Sequence, residues 1–186
     1  PFTLIGATTK SGAISAPLRS RFGIIEALDF YSSQELAHVI LQNAKFLNIA
    51  MQMDAAQQLA IRSRGTPRIA KKLLRRIRDF AQIKNNNIAS VQLVLDTMST
   101  LGIDEYGLTP IDNLILKKII FDYHGGPVGL DTLASITGQD KETIEAVYEP
   151  YLLQQGFLEK SSKGRQIPQS KFLHLQKKFT GQNCMF

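Results

Sequence analysis

Between Thr66 and Lys84 the chain reads TPRIAKKLLRRIRDFAQIK, and no other stretch constrains its folding so strongly. At about 100° per residue, Ile69, Leu73, Leu74, Ile77, Phe80 and Ala81 fall on one arc of a helix, and Arg68, Lys71, Lys72, Arg75, Arg76 and Arg78 fill the opposite arc. Thr66 and Pro67 supply an N-cap and a first-turn proline, so the spacing predicts a helix starting there. One face must be covered by other helices, and the other must meet water or negative charge. Arg68 sits in the first turn, where the helix dipole favours anions over cations. That misfit points to an anion bound nearby.

The flanking segments supply the helices this face needs. Ser32 and Glu35 form the capping-box spacing ahead of Leu36, Val39, Ile40, Ala44 and Leu47, which recur at helical intervals. Asp54 is a candidate cap for a helix through Ile61, ended by Gly65, and Ser90 for a helix through Leu101. GIDEYGLTP has the glycines and proline of a linker. Beyond it, Pro110 opens a helix reaching Tyr123, HGGPVG breaks it, and a short helix, a turn and a longer helix capped by Asp140 follow. FLEKSSKGRQI reads as two strands around a tight turn, so the order is that of a winged helix. At the front of the chain, FTLIGA and GIIEALDF read as short strands flanking a brief helix near Pro17. No pattern is assigned after Ser170, and TGQNCMF reads as a loose tail.

Composition narrows the function. Apolar residues make up 44% of the 186, enough for a packed core, and the single cysteine, Cys184, excludes a disulfide framework. No apolar run approaches the ~20 residues that span a bilayer. These features lead to the expectation of a cytoplasmic protein. The chain opens without methionine on a strand-like run, which leads to the expectation of a piece of something longer. The net charge of +6 is locally concentrated: Lys160 to Lys178 contains six basic residues and no acid, as a polyanion partner requires. A solvated basic surface is the alternative reading.

No G-x-x-x-x-G-K-[ST] loop occurs in these residues, so hydrolysis by this chain alone is not expected. Asp104-Glu105 follows STLGI rather than a buried apolar strand and reads as linker, not as a magnesium motif. His38, His124 and His174 have no ligand partner at helical spacing, so no metal site is expected. The arginines say more. Arg21 follows a short helix, and a guanidinium held there suits recognition of transferring phosphate charge, because it is planar, permanently charged and forked. The alternative for Arg21 is an ion pair with Glu26 or Asp29.

Taken together, FTLIGATT, APLRSRFGI, RSRGTPRIAKKLLRRIRDFA, GGPVGLDTLA, TIEAVYEPYLLQQGFL and KGR resemble, in order, the RuvB family of bacterial Holliday-junction branch-migration motors. The resemblance implies a mainly α fold with small β elements. Residues 1–31 would be the end of an AAA+ α/β core, 32–105 its helical lid and 106–186 a winged-helix DNA-binding domain. It implies an ATP- and Mg²⁺-dependent DNA helicase or translocase acting in recombination and repair as a homo-hexamer, with duplex DNA at Holliday junctions, RuvA and RuvC as partners. By the same resemblance GATT is the sensor I segment, with Thr9, or Thr8 as second choice, at the γ-phosphate. Arg21 is an arginine finger acting on the neighbouring subunit's nucleotide, Tyr31 contacts nucleotide or packs at the hinge, and Arg68 is sensor II. Lys160, Lys163 and Arg165 are the wing's DNA contacts. KSSKGR departs from the family's Thr-Pro-Arg-Gly-Arg turn and exchanges bidentate guanidinium for point charge. Two rivals are a winged-helix regulator with a helical oligomerisation arm and no nucleotide chemistry, and a clamp-loader-like ATPase, suggested by SRF. LRSRFG and GTPR argue against the first, and the wing against the second.

Overall fold

A computed structural model describes residues 2–8, 11–84 and 86–181. It divides into two compact units, Pro1–Phe30 and Tyr31–Phe186.

In the first unit a 3-10 turn at Ser11–Ala13 precedes helix α1 at Ala16–Arg19, with Pro17 in its first turn as expected. The two predicted strands are not formed: residues 2–8 and 24–30 carry no strand, and Phe2, Ile5 and Leu28 are almost fully exposed. A strand exists only through its neighbour's ladder, and among the described residues no strand pairs with FTLIGA or GIIEALDF. Thr9 lies outside the described residues.

The second unit begins with four packed helices, α2 (Ser33–Phe46), α3 (Met53–Ile61), α4 (Pro67–Lys84) and α5 (Val91–Thr100). Ser32 completes the predicted capping box: its Oγ accepts from Glu35 N at 3.2 Å, and Glu35 Oε2 accepts from Ser32 N at 2.8 Å. Hydrogen bonds from the Ser32 backbone and hydroxyl hold the Glu35 carboxyl below its usual range. Gln52, not Asp54, occupies the cap position of α3, and Asp54 instead accepts from Ala55 N inside the first turn. The core joins Leu36, Ile40, Leu59, Leu74, Ile77 and Met98, all essentially buried. Each contributes about 1.5–3 kcal/mol on burial. A short parallel pairing of β1 (Ala50–Met51) with β2 (Ile88–Ala89), too brief for any sequence period, ties the ends of α2 and α4.

A second core follows, built on α6 (Pro110–Asp122), α7 (Leu130–Thr137) and a continuous run of α8 (Lys141–Thr143), a π segment (Ile144–Tyr148) and α9 (Glu149–Gln154). The π segment ends just ahead of Pro150, whose missing N–H denies an earlier carbonyl its α-helical donor. Strands β3 (Glu159–Ser161) and β4 (Gly164–Gln166) pair antiparallel, and Val128 bridges to Arg165 on the far side of β4. After Ser170 the assigned absence of pattern is corrected: helix α10 spans Gln169–Gly181 and drives Leu175 and Phe179 into the core. Phe172, Leu175 and Phe179 recur at helical spacing there, a signal hidden among the basic residues. Residues 182–186, including Cys184, lie outside the described residues.

The wing leaves no room at one glycine. Gly164 has φ +140°, and a Cβ there would collide with the Val128 carbonyl. Gly164→Ala is expected to lower unfolding free energy by about 1–3 kcal/mol and to loosen the Val128–Arg165 bridge, read by urea melts and amide exchange at Val128.

Candidate nucleotide-facing arginines and nucleic-acid interface

Arg21 is carried by the turn that closes α1: its N–H donates to Leu18 O at 3.2 Å, and Phe22 N follows to Arg19 O at 3.2 Å. The side chain is exposed, and among the described residues it forms no ion pair with Glu26 or Asp29. The competing reading of an internal salt bridge is therefore not what the structure shows. Thr8, the second sensor I candidate, is exposed on the same unit.

Arg68, in the second unit, is also exposed and forms no ion pair among the described residues. Along its face Lys71, Lys72, Arg75 and Arg76 are exposed as well, and acid enters only at Asp79, paired with Arg78 at 2.8 Å and Arg76 at 3.7 Å. Thr66 does not cap α4 with its side chain. Its hydroxyl donates instead to Arg64 O at 3.0 Å, tightening the turn that leads into Arg68. Tyr31 presents a half-exposed ring, and its N–H donates to Gly65 O at 3.0 Å, so its backbone grips that same turn.

The segment read as a linker is a bracket. Asp104 accepts from Leu108 N at 2.8 Å, Tyr106 N at 3.0 Å and Lys178 Nζ at 2.6 Å. It serves as a structural acceptor that ties this segment to α10. His174 Nε2 lies 3.1 Å from the Tyr106 hydroxyl, so α10 braces this bracket at two points.

In the wing, Lys163 stands at the turn between β3 and β4 with an exposed side chain and no ion pair among the described residues. Arg165 faces inward, and the half-exposed Lys160 leans onto the same carboxylates. Arg165 Nε donates to Glu149 Oε1 at 2.6 Å and its Nη2 to Glu145 Oε1 at 2.8 Å, while Lys160 Nζ lies 2.7 Å from Glu149 Oε2. That ammonium supplies charge to Oε2 without hydrogen-bond alignment, leaving the oxygen with no aligned donor. Burial pulls the Arg165 guanidinium down, and Glu149 and Glu145 more than reverse this, leaving it raised above its ordinary value. Glu149 is 1% exposed, and a buried carboxylate is tolerable only with such partners. Sequence reasoning missed it. The signal available was an acid among apolar residues in VYEPY.

The most consequential contact missed joins the two cores. Arg64 Nε donates to Gly107 O at 2.9 Å, its Nη2 pairs with Asp112 Oδ2, and its guanidinium lies 4.6 Å from the centre of the Tyr151 ring. Asp112 is fully buried and also closes a capping box on α6, accepting from Thr109 N at 2.7 Å. Arg64 holds φ +54°, a left-handed conformation unfavourable for a side-chain-bearing residue. Gly107 has φ +74°, and a Cβ there would stand 2.9 Å from Arg62 O. Only glycine lets the two backbones approach this closely.

Four packed helices followed by a winged helix, whose two-stranded wing is bridged by Val128, define the class: an AAA+ lid joined to a winged-helix domain. Family models agree segment by segment. The Holliday junction DNA helicase RuvB P-loop domain matches residues 1–28, the RuvB AAA lid domain 31–104, and the RuvB C-terminal winged helix domain 105–176. The Holliday junction branch migration complex subunit RuvB of Parabacteroides distasonis is 46% identical over 182 residues, covering 98% of this chain and 53% of that relative. The Thermotoga maritima RuvB Holliday junction branch migration motor superposes with a TM-score of 0.83 at 48% identity, over 95% of this chain and 59% of that one. The chain belongs to the RuvB family. It spans about half the length of the curated relative it matches.

Proposed function

We propose that the chain is the C-terminal part of a hexameric, ATP-dependent DNA motor that drives Holliday-junction branch migration in recombination and repair, working with RuvA and RuvC. The carrying observation is that Arg21 and Arg68, on the two segments that resemble finger and sensor II, are exposed guanidiniums spent on no ion pair among the described residues. A cationic group kept free in this way breaks no internal ion pair when it turns onto phosphate oxygens. Residues 1–31, 32–105 and 106–186 would then be core end, lid and DNA-binding domain. ATP with Mg²⁺ supplies the phosphoryl chemistry. Arg68, and Tyr31 through its ring, would meet the subunit's own nucleotide, and Arg21 a neighbour's. Thr9, or Thr8, would stand at the γ-phosphate.

The DNA contact is assigned to the wing, with a division of labour. Lys163 meets the backbone directly, whereas Lys160 and Arg165 are paired with Glu145 and Glu149 and hold the hairpin in place. Binding should be sequence-independent and governed by salt, with log affinity falling by about 0.9 per phosphate contacted for each unit of log salt. Fluorescence anisotropy on duplex DNA at several salt concentrations tests this. Lys163→Ala is expected to flatten the slope by about one contact. An unchanged slope would remove the wing tip from the interface.

A further inference from the structure

The turn from Arg62 to Arg68 is held from three sides. Tyr31 N–H bonds to Gly65 O at its centre, Arg68 leads into the basic face of α4, and Arg64 crosses to the winged helix through Gly107, Asp112 and Tyr151. Only Gly65, Thr66 and Pro67 separate the outward guanidinium of Arg68 from the largely buried one of Arg64. The far side of the crossing is equally fixed. Asp112 starts α6 through its capping box, Tyr151 donates its hydroxyl to Tyr106 O at 2.6 Å, and Lys178 pins Asp104, with both side chains of that last pair mostly buried. Two small domains joined by a short connection ordinarily move relative to each other. Here the connection and both its neighbours are locked by charge-assisted bonds out of water, where such bonds are strongest and least adjustable.

We propose that Arg64 is a positioning residue that makes the lid and the winged helix one lever, so that any displacement of the Arg68 turn is delivered to the DNA-binding domain without slack. The delivery step rests on the reading of Arg68 as nucleotide-facing; the rigidity does not. Arg64 touches neither nucleotide nor DNA in this scheme. Its strained backbone conformation is consistent with a side chain selected for reach rather than for local stability.

Two measurements test it. Spin labels at Gln42→Cys in α2 and Ser135→Cys in α7, with Cys184→Ser, report the distance distribution between lid and winged helix in the 186-residue chain. The pair Arg64→Met with Asp112→Asn removes both charges and keeps an acceptor for the Thr109 cap, so the cores stay folded while the clasp is lost. The distribution is expected to broaden about twofold or more, and an unchanged width overturns the lever. In the full-length subunit the same double variant should hold a fluorescent ATP analogue as wild type does, yet migrate about threefold fewer base pairs than wild type per ATP hydrolysed. Equal yield per ATP overturns the delivery step. Arg68→Ala separates the two ideas: it should weaken the ATP analogue and leave the label distance alone. Should it bind the analogue normally, the nucleotide reading fails, and the lever stands or falls on the widths.

Discussion

Alanine at Arg21 is expected to cut ATP turnover of the full-length subunit about 10³- to 10⁵-fold, while leaving the melting temperature essentially unmoved. The two halves of that expectation have one cause. The guanidinium is exposed and, among the described residues, unpaired, so truncating it deletes no internal contact, and exposed substitutions of this kind stay within about 0.5 kcal/mol. Its proposed task is to stabilise charge that appears only as the γ-phosphoryl group transfers, and a loss of that size corresponds to about 4–7 kcal/mol of barrier. Because the finger would serve a neighbour, mixing Arg21→Ala subunits with subunits disabled in the phosphate loop should restore part of the turnover. Wild-type rates in the homogeneous Arg21→Ala ring would leave this chain with a family likeness and no finger.

Arg64→Ala is expected to lower the unfolding free energy by about 3–5 kcal/mol, the largest stability effect among the charged residues. Surface pairs such as Lys118 with Asp122 or Arg76 with Asp79 are worth about 0–1 kcal/mol, because water already solvates both partners. Asp112 is different, since it is fully buried and its Oδ1 has no hydrogen-bond partner. Removing the arginine strands that charge out of water, and the Gly107 carbonyl and the Tyr151 ring lose their partner as well. Burial already pushes the Tyr151 phenol up, and the Arg64 charge works against that push. Adding Asp112→Asn to the arginine variant should return at least about 1 kcal/mol, because no charge is then left buried. Chemical denaturation of the three variants checks this, and a single variant as stable as wild type would show that the pair is not buried in solution.

The helices are largely legible in the sequence alone. Ser32, Ser90, Asp140 and the proline starts at Pro67 and Pro110 announce themselves within three or four residues, and the apolar period of α4 names its buried face. The wing hairpin was legible for the same reason, since its turn and both strands lie within a dozen residues. The outward guanidiniums of Arg21 and Arg68 were candidates on local grounds alone, one from its place after a short helix and the other from its misfit with the helix dipole.

What sequence could not determine is whatever depends on a distant partner. FTLIGA carries a strand's composition, but pairing is a property of two segments, and the described residues offer it none. The direction in which Arg165 points is set by Glu145 and Glu149 on a different element, so a residue read as reaching outward is turned in. Arg64 and Asp112 are 48 positions apart, and neither looks unusual in its own neighbourhood. Local rules therefore determined the parts and much of their chemistry. Tertiary packing alone decided which charges face water and which are taken out of it, because the cost of burying a charge is settled by what the fold brings beside it.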